Sequence, residues 1–159
     1  MRLAFLLAAM VPISPHVSHA APQSTPIVQS LDGDWLLPTD ARDEGRSQEW
    51  HRQPRPEAVT AKVPWIIQDA FPGYHGIAWY WRSFPIPTNP HPEGRILLRF
   101  WAVDYKADVW VNGIAVGGHE GGETPFVLDI TDAASAGATN PDQVQPGAGD
   151  RSGLVAVRV

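Results

Sequence analysis

Apolar and polar residues alternate along much of the chain after residue 30, with the period of two that is typical of β-strands. The clearest segment is 106–111, where Ala107, Val109 and Val111 face one way and the intervening residues, Trp110 among them, face the other. Asn112-Gly113 follows directly. Both central residues of a type I′ turn need a positive φ, so this pair predicts a tight hairpin.

The same alternation predicts further strands at 78–86, 95–103, 114–117 and 124–130, a first strand starting at Trp35 and a last strand whose inner face carries Val155, Val157 and Val159. Strand 78–86 has aromatic residues on both faces, so we expect it to be covered at least in part on both sides. No long helical pattern is visible. Seven or eight such strands predict an all-β fold, an antiparallel β-sandwich of which the jelly roll is one form.

Two segments lack this alternation. Residues 40–58 are polar and interrupted by proline, which predicts a surface connection with one helical turn near Glu49-Trp50. Residues 133–153 are rich in Ala, Gly, Pro and Asp, which predicts a long, loose loop. Because the sequence stops within a strand pattern at Val159, we expect an unpaired sheet edge there.

The first twenty residues resemble a secretory signal. Arg2 supplies the positive start, residues 3–11 are almost wholly apolar, and Ser18-His19-Ala20 predicts cleavage after Ala20. The apolar run is shorter than the ~18–20 residues of a membrane span. The predicted organisation is a signal peptide at 1–20, a linker at 21–30 and one domain at 31–159. We expect export to the periplasm or the extracellular space, with no membrane association after cleavage.

Composition narrows the possible functions. The 159 residues contain no cysteine, which excludes disulfides, a thiol nucleophile and a cysteine-bound metal. The formal net charge is −5 and there is no basic run, so nucleic acid is not an expected partner. Proline and glycine together make up nearly a fifth of the residues, which suits many short strands and turns. No motif predicts a cofactor or a metal.

Several short motifs, in order, resemble the N-terminal sugar-binding domain of family 2 glycoside hydrolases. They are Leu-Asp-Gly-Asp-Trp at 31–35, Val-Pro-Trp at 63–65, Gly-Ile-Ala-Trp-Tyr-Trp-Arg at 76–82, Val-Trp-Val-Asn-Gly at 109–113 and Gly-Gly-His-Glu-Gly-Gly-Glu-Thr-Pro-Phe at 117–126. The family includes β-galactosidases, β-glucuronidases and β-mannosidases. The resemblance implies a galactose-binding-like jelly roll. It also implies that the last strand or strands of the domain are missing, so that the domain is truncated at its C-terminal end.

In that family the jelly roll precedes an immunoglobulin-like sandwich and a (β/α)8 barrel, which carries two catalytic glutamates in a retaining mechanism. A barrel typically needs ~250 residues, so we expect no catalytic residue in this chain and no activity of the chain alone. The implied role is a non-catalytic carbohydrate-binding and support domain of a glycoside hydrolase. The implied partners are a carbohydrate and the catalytic barrel of a parent enzyme.

Five residues are candidates for substrate binding: Asn112, His119, Glu120, Trp101 and Trp110. In similar β-galactosidases the asparagine of the Asn-Gly turn reaches the active site, although Asn also simply tolerates the left-handed turn conformation. His119 and Glu120 either shape the rim of a pocket or belong to a glycine-rich connection. The two tryptophans point away from the predicted inner face. They either stack on sugar rings or take part in packing and interdomain contact.

Asp104 and Asp108 form a possible catalytic pair of carboxylates. On one strand they would lie about 13 Å apart, whereas a retaining glycosidase needs carboxyl groups ~5–5.5 Å apart. A solvated face around Lys106 is the simpler interpretation. Two other functions remain open from sequence, namely a stand-alone secreted carbohydrate-binding module and a β-sandwich that binds a protein rather than a sugar.

Overall fold

The computed structural model describes residues 26–89, 91, 93–136 and 151–159, which form two antiparallel sheets. The strands are β1 (Gly33–Leu37), β2 (Val59–Val63), β3 (Trp79–Pro85), β4 (Leu97–Phe100), β5 (Lys106–Val111), β6 (Ile114–Glu120), β7 (Phe126–Asp129) and β8 (Ser152–Arg158). The larger sheet has the order β2-β1-β3-β8-β5-β6, and β4 pairs with β7 in the smaller one. The predicted all-β sandwich is confirmed. The predicted signal peptide and half of the predicted linker (residues 21–25) lie outside the described residues and stay predictions.

The β5–β6 hairpin matches the sequence pattern most closely. β5 has the predicted bounds, and the turn residues Asn112 and Gly113 have φ values of 52° and 79°. β6 continues to Glu120 instead of ending at Gly117. The alternation therefore located the hairpin and its turn correctly, but it underestimated the returning strand, where glycines interrupt the apolar pattern.

The main core lies between the larger sheet, the smaller sheet and a short helix, α1 (Thr131–Ala136). Its buried side chains come from all three elements: Trp35, Phe84, Ile86, Leu98, Ala107, Val109, Val111, Phe126, Ile130, Ala133, Ala134, Val155 and Val157. The predicted inward residues of β5 and the first two valines of β8 belong to it. The burial of this apolar surface is the main term that holds the two sheets together.

Residues 40–58 form a covering segment over the outer face of the larger sheet. Trp50 of this segment packs with Trp79, Trp81 and Trp110 of the sheet in a second buried cluster. The indole Nε1 of Trp81 donates to the carbonyl of Trp50 at 2.9 Å. The predicted helical turn is present as a 3-10 turn at Trp50–Arg52. The predicted surface connection is present at 40–58, but the segment also covers a tryptophan layer through Trp50, which the sequence did not indicate. Strand β3 is accordingly covered on both faces, as predicted.

Asp40 fixes the start of the covering segment. Its side chain is 3% exposed and accepts hydrogen bonds from the backbone N–H of Glu44 (2.8 Å), the backbone N–H of Gly45 (2.9 Å) and the indole Nε1 of Trp79 (2.9 Å). A Cβ on Gly45 would lie 2.3 Å from Trp79 Nε1, so only glycine fits there. The carboxylate therefore joins the covering segment to the centre of the sheet.

Three other expectations need correction. The last strand does not form an edge, because β8 lies between β3 and β5, and the edges of the larger sheet are β2 and β6. Thr131–Ala136 is helical rather than loop, with Ala133 and Ala134 buried in the main core. β1 begins at Gly33, two residues before the predicted start at Trp35. Among the described residues, no helix has the length and apolar character needed to cross a bilayer.

Candidate functional site

Tyr105, Lys106 and Glu120 form an exposed polar cluster at one end of the sandwich, where β5 begins and β6 ends. Lys106 and Glu120 are opposite each other in the strand pairing, and their charged atoms lie 3.5 Å apart. The hydroxyl of Tyr105 donates to the other oxygen of Glu120 at 3.1 Å. This hydrogen bond and the charge of Glu120 raise the pKa of Tyr105 above its usual value. The cluster offers a carboxylate, an ammonium and a phenol to solvent, all of which can bind sugar hydroxyls.

His119 is held beside this cluster. One ring nitrogen, Nε2, lies 2.7 Å from the hydroxyl oxygen of Thr124, and the ring stacks on Phe126 with centroids 4.6 Å apart. Phe126 in turn stacks on Phe100 of β4, so the ring that His119 contacts is itself held by the smaller sheet. His119, which the sequence suggested could shape a pocket rim, is thus held against the small sheet.

Trp101 lies at the same end, directly after β4. Its side chain is 71% exposed, and the guanidinium of Arg99 lies over the indole at 5.0 Å from the ring centroid. Of the two tryptophans proposed from sequence as sugar-stacking platforms, Trp101 is therefore the one with an open ring. Sequence reasoning did not single out Arg99, although its position two residues before Trp101 on an alternating strand was a usable signal.

Trp110 points away from the main core as predicted, but it is only 8% exposed. Its ring stacks on Trp79 (centroids 5.2 Å apart) and on His51 of the covering segment (5.4 Å). Arg46 of the same segment lies 5.5 Å from the ring centroid. Of the two alternatives for Trp110, these contacts support packing rather than sugar stacking, because the covering segment occupies the space that a sugar would need.

His51 provides a pH-dependent contact in this layer. Its Nδ1 is buried without a hydrogen-bond partner. Burial lowers the pKa of His51 below 6.5, the neighbouring charge of Arg52 lowers it further, and Glu49 opposes the shift. A histidine whose folded-state pKa is depressed stabilises the fold above its unfolded pKa, and that contribution is lost as the pH falls below about 6.5.

We therefore expect the chain to lose more unfolding free energy between pH 7 and pH 5 than a His51→Gln variant does. The measurement is guanidinium-induced unfolding, followed by tryptophan fluorescence at both pH values. The matched control is His75→Gln, because His75 is exposed and its replacement should leave the pH dependence of the parent chain unchanged. Equal pH dependence in the parent and His51→Gln would contradict this assignment.

Asn112 lies at the opposite end of the β5–β6 hairpin. Its Nδ2 donates to the carbonyl of Ala133 in α1 at 2.9 Å, and its Oδ1 accepts from the backbone N–H of Leu154 in β8 at 2.9 Å. The side chain thus joins the hairpin, the helix and the central strand. Its predicted role in sugar binding is not tested by these contacts and stays a prediction, but both polar atoms already have a structural partner.

The five candidate residues do not form one site. Trp101, His119 and Glu120 lie near one end of the sandwich, whereas Asn112 lies at the other end, about 17 Å away at the strand rise of ~3.3 Å per residue. Trp110 is enclosed between the sheet and the covering segment. A single sugar residue could contact the first group or Asn112, but not both.

Asp104 and Asp108, the two aspartates of the possible catalytic pair, lie in different environments. Asp108 contacts Arg46 of the covering segment and lies 3.4 Å from a guanidinium nitrogen of Arg158. Asp104 is exposed and lies in the connection before β5. The interpretation of Asp108 as part of a solvated face is corrected, since two arginines enclose its carboxylate. Within the described ranges, no group of three histidine, aspartate or glutamate side chains converges on a possible metal position.

Comparison with known proteins connects this sandwich to sugar-active enzymes. The sequence model for the sugar-binding domain of family 2 glycosyl hydrolases matches residues 28–142. The β-glucuronidase of Paenibacillus borealis is 36% identical over 118 residues, which are 71% of this chain and 20% of that protein. The dog enzyme, also a β-glucuronidase, is 34% identical over 122 residues, with 69% and 19% covered.

Solved structures agree with the sequence matches. The crystal structure of Ruminococcus gnavus β-glucuronidase superposes with a TM-score of 0.65 at 29% identity, covering 82% of this chain and 21% of that one. These matches define the sandwich as a sugar-binding domain. The chain belongs to glycosyl hydrolase family 2 and carries the N-terminal sugar-binding domain of that family. It spans about a fifth of the length of the curated relatives that it matches.

Proposed function

We propose that this domain serves a retaining glycosidase that acts on β-glucuronides, as a support for the catalytic barrel and as one wall of its sugar site. The observation that carries the proposal is the match to β-glucuronidases in both sequence and fold over most of the described chain. The choice of β-glucuronides, rather than of other glycosides, as the substrate class rests on the names of these relatives. The catalytic barrel would be the partner, and a glycoside the substrate.

The arrangement of the carboxylates supports a non-catalytic role. A retaining mechanism uses one carboxyl group as nucleophile and a second, about 5–5.5 Å away, as acid and base. Glu120 is paired with Lys106 and accepts a hydrogen bond from Tyr105, while Asp108 is enclosed by two arginines. Both carboxylates are therefore already engaged by other side chains of this chain.

The end of the sandwich that carries Tyr105, His119 and Glu120 is the part we propose to face the sugar. Its polar side chains are exposed or half-buried and sit on rigid strand ends, which suits recognition of hydroxyl groups. The amide of Asn112, at the other end, already bonds to α1 and β8. This difference favours the Tyr105 end as the wall of the site.

Two assays test the proposal. The purified chain should not hydrolyse nitrophenyl β-D-glucuronide, and turnover above that of buffer would contradict a non-catalytic role. Next, residues 26–159 should replace the matching fifth of Ruminococcus gnavus β-glucuronidase with glucuronide hydrolysis retained. In this chimera, Glu120→Gln is expected to raise KM about tenfold, since a charge-assisted hydrogen bond contributes roughly 1.5–3 kcal/mol.

The matched control is Glu57→Gln, an exposed carboxylate on the covering segment, which should leave KM unchanged. A folded chimera that hydrolyses other glycosides but no glucuronide would contradict the substrate class. One that keeps its KM for glucuronide after Glu120→Gln would remove the proposed wall while leaving the support role in place.

A stand-alone carbohydrate-binding module is the second candidate function. The observation in its favour is the open indole of Trp101, because exposed aromatic platforms are suited to stacking on the apolar faces of pyranose rings. This candidate predicts measurable sugar affinity in the absence of any catalytic domain.

A further inference from the structure

The outer face of the smaller sheet carries an uncovered strip of apolar and cationic side chains. Leu97, Arg99 and Trp101 follow one another at every second position along β4 and its end, and Val127 of β7 pairs directly opposite Arg99. The exposed fractions are 52% for Leu97, 71% for Trp101 and 46% for Val127. Residues at alternate positions share one face of a sheet, so this face presents an indole flanked by a guanidinium and aliphatic groups.

Arg99 is distinctive within this strip because its charge is not neutralised. Its guanidinium lies over the Trp101 ring and makes no ion pair with any residue in the described part of the chain. By contrast, Arg95, four residues earlier in the chain and just before β4, lies 3.7 Å from the carboxylate of Asp129. A stacked guanidinium keeps its N–H edge free, and that edge matches a carboxylate in a two-point hydrogen bond.

We propose that Arg99 and Trp101 form a binding site for an anionic sugar residue, such as a uronic acid of a glycan. The open indole would stack on the C–H face of the pyranose, and Arg99 would hold the sugar carboxylate. An unpaired cation on a chain of net charge −5 is the feature that selects an anionic ligand. This site rests on the proposed function for its ligand class. It lies near the same end of the sandwich as Tyr105, His119 and Glu120, but on the outer face of the smaller sheet, and its residues come from β4 and its end rather than from the β5–β6 hairpin.

The test is a titration of the full ¹⁵N-labelled chain with methyl β-D-glucuronide and, separately, with methyl β-D-glucoside, which lacks the carboxylate. Indole N–H signals report on the seven tryptophans individually. We expect the glucuronide to shift one indole signal, that of Trp101, with millimolar affinity and to bind about tenfold more tightly than the glucoside, which is roughly the contribution of one charge-assisted pair. The difference should shrink as salt is added.

Three variants assign the contacts. Trp101→Ala should abolish the response to both sugars, and Arg99→Gln should reduce glucuronide affinity to that of the glucoside. The controls are Trp65→Ala, which removes an indole that is 68% exposed elsewhere on the surface, and Arg95→Gln, which removes the neighbouring paired cation. Both controls should bind the glucuronide like the parent chain.

Other outcomes would overturn the inference. Equal affinity for the two sugars would refute the role of Arg99, and absence of any indole shift at saturating sugar would refute the site. Sedimentation that shows dimers lost on Trp101→Ala, without sugar binding, would identify the strip as a contact between protein copies instead. If the chain does not bind the glucuronide but the chimera hydrolyses it, the proposed function stays intact and only this site is refuted. If the chain binds the sugar but the chimera is inactive, the result favours the stand-alone module.

Discussion

Replacing Asp40 by alanine is expected to lower the free energy of unfolding by about 3–5 kcal/mol, because three donors, two of them in buried hydrogen bonds, lose their acceptor together. Each buried unsatisfied donor costs roughly 1–3 kcal/mol, and entering water can recover part of that. The donors are two backbone N–H groups of the covering segment and the indole of Trp79. Guanidinium unfolding monitored by tryptophan fluorescence measures the loss.

Two further variants test whether the loss of stability comes from the buried hydrogen bonds of Asp40. Asp40→Asn keeps one oxygen acceptor and should lose about half as much stability as Asp40→Ala. Asp32→Ala removes an exposed carboxylate on the approach to β1 and should change stability by less than about 0.5 kcal/mol. A loss for Asp40→Ala no larger than that of Asp32→Ala would show that the covering segment does not depend on this anchor.

Replacing Asn112 by alanine should lower the free energy of unfolding by about 2–4 kcal/mol. Two hydrogen bonds to α1 and β8 disappear, and alanine must adopt the left-handed φ of 52°, which costs roughly 1–2 kcal/mol in itself. Chemical unfolding of the purified variant gives the value.

Two further replacements divide this effect into its parts. Asn112→Gly tolerates the positive φ but makes neither hydrogen bond, so it isolates the cost of the bonds. Asn112→Asp keeps the acceptor for Leu154 and loses the donor to Ala133, so it should lie between the parent and alanine. If all three variants unfold like the parent, the amide is free for another role, and the sugar-binding prediction for Asn112 gains ground.

The sequence was most informative where local pattern decides structure. The bounds of β5 and the turn at Asn112-Gly113 follow from strict alternation and from the φ preference of that pair, both of which are local properties. The motifs around them were sufficient to identify the family, because their order along the chain is more specific than any one of them.

The sequence was least informative where distant segments meet. The alternation places Trp110 on the outer face of its strand, yet its side chain is buried beneath the covering segment. The only large buried side chain of that segment is Trp50, and the segment has no apolar periodicity from which its packing could be predicted. Likewise, the alternation ended the returning strand at residue 117, and only the full length of β6 places His119 on the hairpin, at the end opposite Asn112. The helix α1 was missed because six residues are too few to establish a helical period.

Strand β8 joins two groups of strands in the larger sheet, β2-β1-β3 on one side and β5-β6 on the other. The two groups do not pair with each other directly. During synthesis, both groups leave the ribosome well before residues 152–158 are available to bridge them. Local hairpins such as β5–β6 can form early, but the complete sheet must wait for a pairing between segments some seventy residues apart, Trp79–Pro85 with Ser152–Arg158. Such long-range closure is slow, so β3 and β5 each keep an unpaired edge until β8 has been made.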